Sequence, residues 1–465
     1  MYLTITEAAA ALRAGETTSV ALTEAAIAVA DAHDSALGVY LARFDETALA
    51  AAAKADAELA SGVDRGPLHG IPLGIKDIIA TEEGETTAQS LVLDRAWGAG
   101  GDAPVVARLR AAGAVITGKV TTMEYAIGMP DPDKPFPIPR NPWHTDHWTG
   151  GSSSGTGNGV AAGMFLGGLG TDTGGSVRYP ATACGITGLK QTFGRVPKYG
   201  CVPLGYSYDH IGPMARSAAD CAAMLAVMAG HDPRDATSVD RPVDDYPAAL
   251  TGSLEGVRIG IDPLLERSSL TVPELTAVLD AAVAELRAAG ATVVPIELPM
   301  YDELTSAVMI GMAAEAYAYH RPDLTTRWHD YGAGTRMAVA TGALITGADY
   351  VQAQRVRRVG QRKLAELFTE VDLIVTPTSS CGAPELEKLV FDDIIDALHT
   401  PYWNAVGNPA MSIPMGFTTD GLPLGLQIAG RPFEEAAVLA AGHAYQLRTD
   451  WHLRVPPMVS AQLAA

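Results

Sequence analysis

Residues 148–180 read WTGGSSSGTGNGVAAGMFLGGLGTDTGGSVRYP, and the rest of the chain is organised around this stretch. Two Ser/Gly clusters, Gly150–Gly155 and Gly174–Ser176, bracket the apolar run Val160–Leu169. Glycine lets backbone amides approach a ligand, and a serine hydroxyl becomes a nucleophile when a base lies near it. The stretch therefore predicts two loops that a buried helix or strand holds close together. The alternative is a pair of flexible glycine loops without a function.

Composition limits the class of protein. The chain has 465 residues, 48% hydrophobic and 18% charged, as expected of a soluble globular protein with one large core or two domains. A net charge of −20 argues against nucleic acid and anionic membranes as partners. The four cysteines are widely spaced and form no CxxC pair, so neither a zinc site nor a disulfide framework is predicted. With no signal peptide or membrane-spanning segment in the sequence, we expect a cytoplasmic enzyme.

Helix and strand patterns predict an α/β protein. Residues 3–60 show helical spacing, and a β/α alternation begins with a helix at Ala103–Ala112 and a strand at Ala114–Lys119. Gly185–Gly200 and Asp209–Arg216 are predicted to be further turn-rich segments. The Asp- and Pro-rich residues 231–246 are predicted to form an exposed loop, the most plausible point of subdivision.

One lysine lies inside an apolar run. Residues 66–80 read GPLHGIPLGIKDIIA, and Lys76 falls within the short strand predicted at Ile71–Ile79. Burial lowers the pKa of a lysine and allows it to act as a neutral base. Two alternatives stay open at this point: the side chain reaches the surface, or it pairs with the adjacent Asp77.

Three other motifs lack a neighbouring element or residue that the suggested function requires. Gly157–Ala162 matches GxGxxA formally, but no strand precedes it as a dinucleotide site requires. Ser176 is not in a GxSxG elbow, because Arg178 fills the last position. His144 and His147 have no third ligand nearby, so no metal site is predicted.

Taken together, the motifs resemble those of the amidase signature family. Each motif is weak alone, but the likeness covers nearly the whole chain. The segments that carry it are GIPLGIKD at 70–77, NPW at 141–143, GGSSSG at 150–155, GTDTGGSVRYP at 170–180, GITGLK at 185–190, GRV at 194–196, GPM at 212–214, DLIVTP at 372–377, GNPA at 407–410 and GLPLGLQIAG at 421–430. The resemblance implies the amidase signature fold, an α/β fold with a large mixed β-sheet core surrounded by helices. It also implies a single amidase domain over 1–465, with N-terminal helices at 1–60, a signature core at 61–230 and the remainder at 231–465.

The same resemblance assigns catalytic roles. Ser176 matches the nucleophile, Ser152 the bridging serine that follows a cis peptide bond, and Lys76 the base. The backbone amides of Thr173, Gly174, Gly175 and Ser176 match the oxyanion hole. No metal or organic cofactor is expected. The candidate substrate-binding residues are Tyr125, Ala126, Tyr206 and Trp403, and for the aromatic ones packing in the core stays open as the alternative.

The predicted function is hydrolysis of the C–N bond of a small hydrophobic or aryl amide, with anilides and carbamates as close chemical variants. The alternative is a component of an amidotransferase complex that releases ammonia from an amide donor, and a third interpretation is a binding protein without activity. Ala397 argues against the alternative, because glutamine-using subunits carry an aspartate there. The expected partners are a small-molecule amide substrate and, in a homodimer, a second copy of the chain; neither nucleic acid nor a membrane is expected.

Overall fold

A mixed β-sheet forms the centre of the protein in the computed structural model, which describes residues 2–463, with side chains for 2–460. Within these residues the chain forms eleven strands and fifteen α-helices. The strands are β1 Tyr40–Arg43, β2 Pro72–Lys76, β3 Val115–Val120, β4 Gly167–Asp172, β5 Thr187–Lys190, β6 His210–Ala215, β7 Arg258–Ile261, β8 Thr292–Pro295, β9 Leu373–Pro377, β10 Ala410–Phe417 and β11 Pro423–Ala429. The helices are α1 Ile5–Ala14, α2 Ser19–Leu37, α3 Asp45–Ala60, α4 Pro104–Ala111, α5 Ser154–Ala162, α6 Arg178–Cys184, α7 Ala218–Met228, α8 Leu275–Ala288, α9 Tyr301–Thr326, α10 Ala333–Ala340, α11 Gly347–Leu367, α12 Phe391–Ala397, α13 Pro401–Val406, α14 Glu435–Gln446 and α15 Pro457–Leu463.

The predicted site lies where two neighbouring parallel strands, β2 and β4, have their carboxyl ends. The order is β1-β3-β2-β4-β6-β5-β10-β11-β9-β7-β8. Strand β2 runs parallel to β4, with Ile75 opposite Leu169. Parallel strands end at the same edge of a sheet, so Lys76 at the end of β2 lies near the glycine loop that follows Asp172 at the end of β4.

The apolar run between the two Ser/Gly clusters forms a helix and a strand in succession. Helix α5 begins at Ser154, inside the first cluster, and every one of its residues is buried. Strand β4 begins at Gly167 and leads into the second cluster. The predicted role of the run, a buried element that joins two loops, is therefore divided between a helix and a strand.

The segments Asp209–Arg216 and Gly185–Gly200, predicted to be turn-rich, hold two strands that were not predicted. They contain β6 and β5, which lie side by side in the middle of the sheet. The glycine in β6 marks a close approach between strands, because a Cβ on Gly212 would lie 2.2 Å from the carbonyl oxygen of Leu189. Glycine was therefore misread as a turn signal where it allows two backbones to meet.

A single sheet contains all eleven strands of the described residues, from β1 to β11. Residues 231–246 contain no helix or strand, as predicted, but the sheet continues across this loop. Ala410 on β10 pairs with Lys190 on β5, which joins the strands before and after the loop in one sheet. That residues 1–465 form a single domain stays a prediction. Among the described residues, no helix combines the length and apolar character that a membrane crossing needs.

Candidate active site

Lys76 lies at the centre of a cluster of hydroxyl groups. Its side chain is fully buried at the end of β2. The Nζ atom lies 2.7 Å from Ser152 Oγ, 2.7 Å from Thr171 Oγ1 and 3.1 Å from Ser153 Oγ. The adjacent Asp77 forms an ion pair with Lys119 instead, at 2.9 Å. Both alternatives for Lys76, exposure to solvent and pairing with Asp77, are therefore wrong.

The surroundings of Lys76 favour its neutral form. Burial lowers the pKa of Lys76 to about 7, against the weaker opposing effects of Cys201, Asp172 and Asp209. The Ser153 hydroxyl donates to the Thr171 carbonyl at 3.2 Å, so it accepts a hydrogen bond from Lys76. A neutral amine also has a lone pair, which allows the Ser152 hydroxyl to donate to Nζ. The geometry thus suits transfer of a proton from Ser152 to Lys76.

The two glycine loops contact each other, as the sequence predicts. The peptide bond between Gly151 and Ser152 is cis, and the Ser152 side chain is buried. The Ser153 amide donates to the carbonyl of Ser176 at 3.2 Å, which joins the first loop to the second. Ser176 is partly exposed and lines a cavity. The structure therefore brings the three predicted catalytic residues into one region.

Three of the four predicted oxyanion-hole amides have no acceptor within the described part of the chain. These are the amides of Thr173, Gly174 and Ser176. The Gly175 amide instead donates to a carboxylate oxygen of Asp172 at 2.9 Å. The loop therefore offers a set of free donors beside Ser176, and Gly175 serves mainly to fix its shape.

A buried ion pair, not predicted from the sequence, supports this loop. Asp172 and Arg178 are fully buried and 2.8 Å apart. Burial raises the pKa of Asp172, but the Arg178 guanidinium outweighs that effect and holds the pKa well below its usual range. Thr400 adds a contact from a distant part of the chain, because its hydroxyl donates to the Gly174 carbonyl at 2.7 Å. No sequence pattern links Thr400 to the loop.

The cavity beside Ser176, called the inner cavity below, has a volume of about 70 Å³. Its wall is apolar: Met123, Ala126, Ile127, Met129, Trp148, Tyr179, Leu204, Met309, Met312, Phe391, Ile394, Ile395 and Leu398 surround the loop residues Gly151 and Thr173–Ser176. None of the described residues that line it carries a charge. The methionines were not predicted, because each comes from a segment without a recognisable motif.

Of the four predicted substrate-binding residues, only Ala126 lines the inner cavity. The Trp403 side chain is fully buried in the core, with its ring centre 5.1 Å from that of Tyr402. Tyr125 is also buried, and its ring lies edge-on to His320 at 4.3 Å. Tyr206 is half exposed and lines a neighbouring cavity of about 270 Å³. For Trp403 and Tyr125 the packing alternative is therefore the one that the structure shows.

The histidine pair stays outside this site. The rings of His144 and His147 lie 4.4 Å apart. In the described part of the chain, no group of three His, Cys, Asp or Glu residues is arranged to hold a metal ion. That no metal takes part in the reaction stays a prediction.

Comparison with known proteins identifies the family. A family model described as Amidase matches residues 21–439. The chain belongs to the amidase signature family. The glutamyl-tRNA(Gln) amidotransferase A subunit of Chloroflexus aggregans is 41% identical, over 99% of each chain. The peptide amidase of Stenotrophomonas maltophilia superposes with a TM-score of 0.83 at 31% identity, over 98% of each chain. A protein from a vestigial complex related to the origins of an s-triazine catabolic enzyme superposes with a TM-score of 0.89 at 31% identity, over 96% of this chain and 98% of that one.

These findings confirm the predicted family and its α/β fold. They do not support the aryl-amide prediction. Several relatives, including one from Methylococcus capsulatus at 42% identity, are named as amidotransferase subunits, which favours the alternative function. The chain shares its family with both the peptide amidase and the amidotransferase A subunits, and enzymes of this family act on C–N bonds.

Proposed function

We propose that this chain hydrolyses the C–N bond of a small amide whose acyl group is apolar. The reaction begins when Ser176 Oγ attacks the acyl carbon, while its proton passes to Ser152 and the Ser152 proton passes to neutral Lys76. The observation that carries this assignment is the 2.7 Å contact between the buried Lys76 amine and Ser152 Oγ. A nucleophile activated by an adjacent base is the arrangement that acyl transfer needs.

The remaining steps use the same groups. The free amides of the second loop stabilise the oxyanion, and one such donor contributes about 3–4 kcal/mol in enzymes where it has been removed. The C–N bond breaks as the relay returns a proton to the leaving nitrogen. Water then loses a proton to the relay, attacks the ester on Ser176 and releases the carboxylic acid, which regenerates the hydroxyl.

The lining of the inner cavity supports an apolar acyl group. A glutamine substrate carries an ammonium and a carboxylate, and burying these groups without charged partners is costly. An apolar group gains about 25 cal/mol per Å² when it leaves water for such a surface. By the family resemblance, Ala397 stands where glutamine-using subunits carry an aspartate, which is consistent with this preference.

The second candidate is hydrolysis of glutamine within an amidotransferase complex, which the named relatives favour. The two candidates use the same nucleophile and differ in the substrate. Measuring kcat/KM for glutamine, a short aliphatic amide, an anilide and an aryl carbamate separates them. We expect an apolar amide to be the best substrate and Ser176→Ala to abolish its turnover. Glutamine as the best substrate would establish the second candidate instead.

A further inference from the structure

A larger cavity lies on the far side of the inner cavity's wall. This outer cleft has a volume of about 500 Å³, against about 70 Å³ for the inner cavity. Tyr179 and Ile394 line both, so their side chains form the partition between the two spaces. A water molecule takes up about 30 Å³ in the liquid. The inner cavity alone therefore holds only a short acyl group.

The two partition residues differ in how firmly they are held. The ring of Tyr179 packs edge-on against Trp148 at 5.8 Å, and its amide donates to the Gly175 carbonyl at 2.7 Å. These contacts tie Tyr179 to the loop that carries Ser176. Ile394 lies on α12, which has only seven residues, and its amide donates to the Val390 carbonyl at 3.2 Å. Ile394 is thus the side of the partition that can be changed without altering the loop.

Helix α12 presents different residues to each space. Phe391 and Ile395 line the inner cavity but not the outer cleft, whereas Asp393 and Ala397 line the outer cleft but not the inner cavity. Ile394 is the described residue of α12 that contacts both. The lining of the outer cleft is mixed. Val272, Pro273 and Leu422 are apolar and offer contacts to a hydrocarbon chain, whereas the charged lining residues are Glu274, Glu385, Lys388, Asp393 and Asp420.

We propose that Ile394 closes the inner cavity toward the outer cleft and so sets the longest aliphatic acyl chain that the enzyme accepts. This inference rests on the proposed function, because it places the carbonyl carbon of the chain at Ser176. Removing the Ile394 side chain joins the two spaces. Since burial of one methylene contributes about 0.8 kcal/mol, each methylene that enters the outer cleft raises kcat/KM by about fourfold.

The test uses primary amides in a homologous series from acetamide to decanamide. We expect wild-type kcat/KM to fall once the chain outgrows the inner cavity, and Ile394→Ala to move that limit to longer chains. Ile395→Ala is the matched control, because it enlarges the inner cavity without opening the partition. Ile394→Val, which removes one methyl group, gives a smaller shift and serves if the alanine variant does not fold. Thermal unfolding of each variant confirms that it is folded.

The outcomes separate the two proposals. Suppose that wild type hydrolyses the short amides. If the chain-length limit of Ile394→Ala equals that of wild type, or if Ile395→Ala shifts the limit as far as Ile394→Ala does, the inference is overturned and the proposed function stands. A parallel series in which the amine carries the growing chain gives a further check, since a shift confined to that series also overturns the inference. If wild type hydrolyses none of these primary amides but does hydrolyse the anilide, the inference is overturned and the proposed function stands. If it hydrolyses neither the primary amides nor the anilide, the proposed function itself fails.

Discussion

Two buried lysines on neighbouring strands differ in their partners. Lys76 and Lys119 are both fully buried, on β2 and β3, and Lys119 lies opposite Ile75. Lys119 forms an ion pair with Asp77 at 2.9 Å and donates to Thr86 Oγ1 at 2.8 Å. Among the described residues, the hydrogen-bond partners of Lys76 Nζ are three hydroxyl groups. A carboxylate stabilises the ammonium, whereas hydroxyl groups both donate and accept.

The comparison shows that burial alone does not make a lysine a base. Burial lowers the pKa of both side chains, but beside Lys119 the Asp77 carboxylate opposes that decrease. For Lys76 the nearest carboxylates act more weakly, and its pKa falls to about 7. The first lysine is suited to exchange a proton at neutral pH, and the second is suited to hold the sheet together.

The largest expected effect is the loss of the base. Lys76→Met should lower kcat about 10²–10⁴-fold, the range that a general base contributes. Lys119→Met, which removes the same group one strand away, should leave the activity of the folded fraction within a few-fold of wild type. Steady-state kinetics with active-site titration measures both. Equal losses in the two variants would contradict the division of roles.

Lys119→Met should instead affect stability. It leaves Asp77 buried without a cation, and breaking a buried ion pair in this way costs about 3–5 kcal/mol of unfolding free energy. The double variant Lys119→Met/Asp77→Asn should recover much of that loss, because no charge then remains. Urea unfolding monitored by circular dichroism measures the three proteins. An unchanged midpoint for Lys119→Met would show that the pair does not contribute to stability.

The sequence predicts which segments meet at the candidate site better than it predicts the residues that line the cavity there. Lys76, Ser152 and Ser176 stand in local motifs, so their segments could be recognised one at a time. Thr400 reaches the loop from 226 residues away, and nothing local marks that contact. Trp403 was predicted to bind substrate because, by the family resemblance, its segment borders the cleft. An aromatic residue also suits a core, and the structure shows Trp403 fully buried there.

The strands show the same limit. The strands predicted at Ile71–Ile79 and Ala114–Lys119 correspond to β2 and β3, and the second prediction lies within one residue of the observed bounds. Strand β6 was missed because its glycine serves close packing against β5 and not a turn. Hydrophobic periodicity predicts which residues are buried, but it does not predict which strands pair or where two backbones pack closely.

The pH profile tests the difference between the lysines directly. Because burial lowers the pKa of Lys76 to about 7, the ammonium form dominates below that pH and cannot accept a proton. We expect kcat to fall about tenfold per pH unit below pH 7 and to level off above it. Stopped assays in overlapping buffers measure the profile. If kcat instead falls below about pH 10, Lys76 keeps its ordinary lysine pKa.

The smallest expected effect comes from one hydroxyl beside Lys76. Thr171→Val keeps the shape of a β-branched strand residue but removes the group that lies 2.7 Å from Nζ. A hydrogen bond to the ammonium favours the charged form, so its loss should lower the pKa of Lys76 further and move the acidic limb of the profile to lower pH. The plateau of kcat should fall only about fivefold, the effect of losing a hydrogen bond worth about 1 kcal/mol. Thr187→Val on β5, whose hydroxyl donates to the Arg216 carbonyl at 3.1 Å, makes the same chemical change away from Lys76 and should leave the limb in place. A limb that moves upward in Thr171→Val would contradict this account, because it would mean that the hydroxyl stabilises the neutral amine.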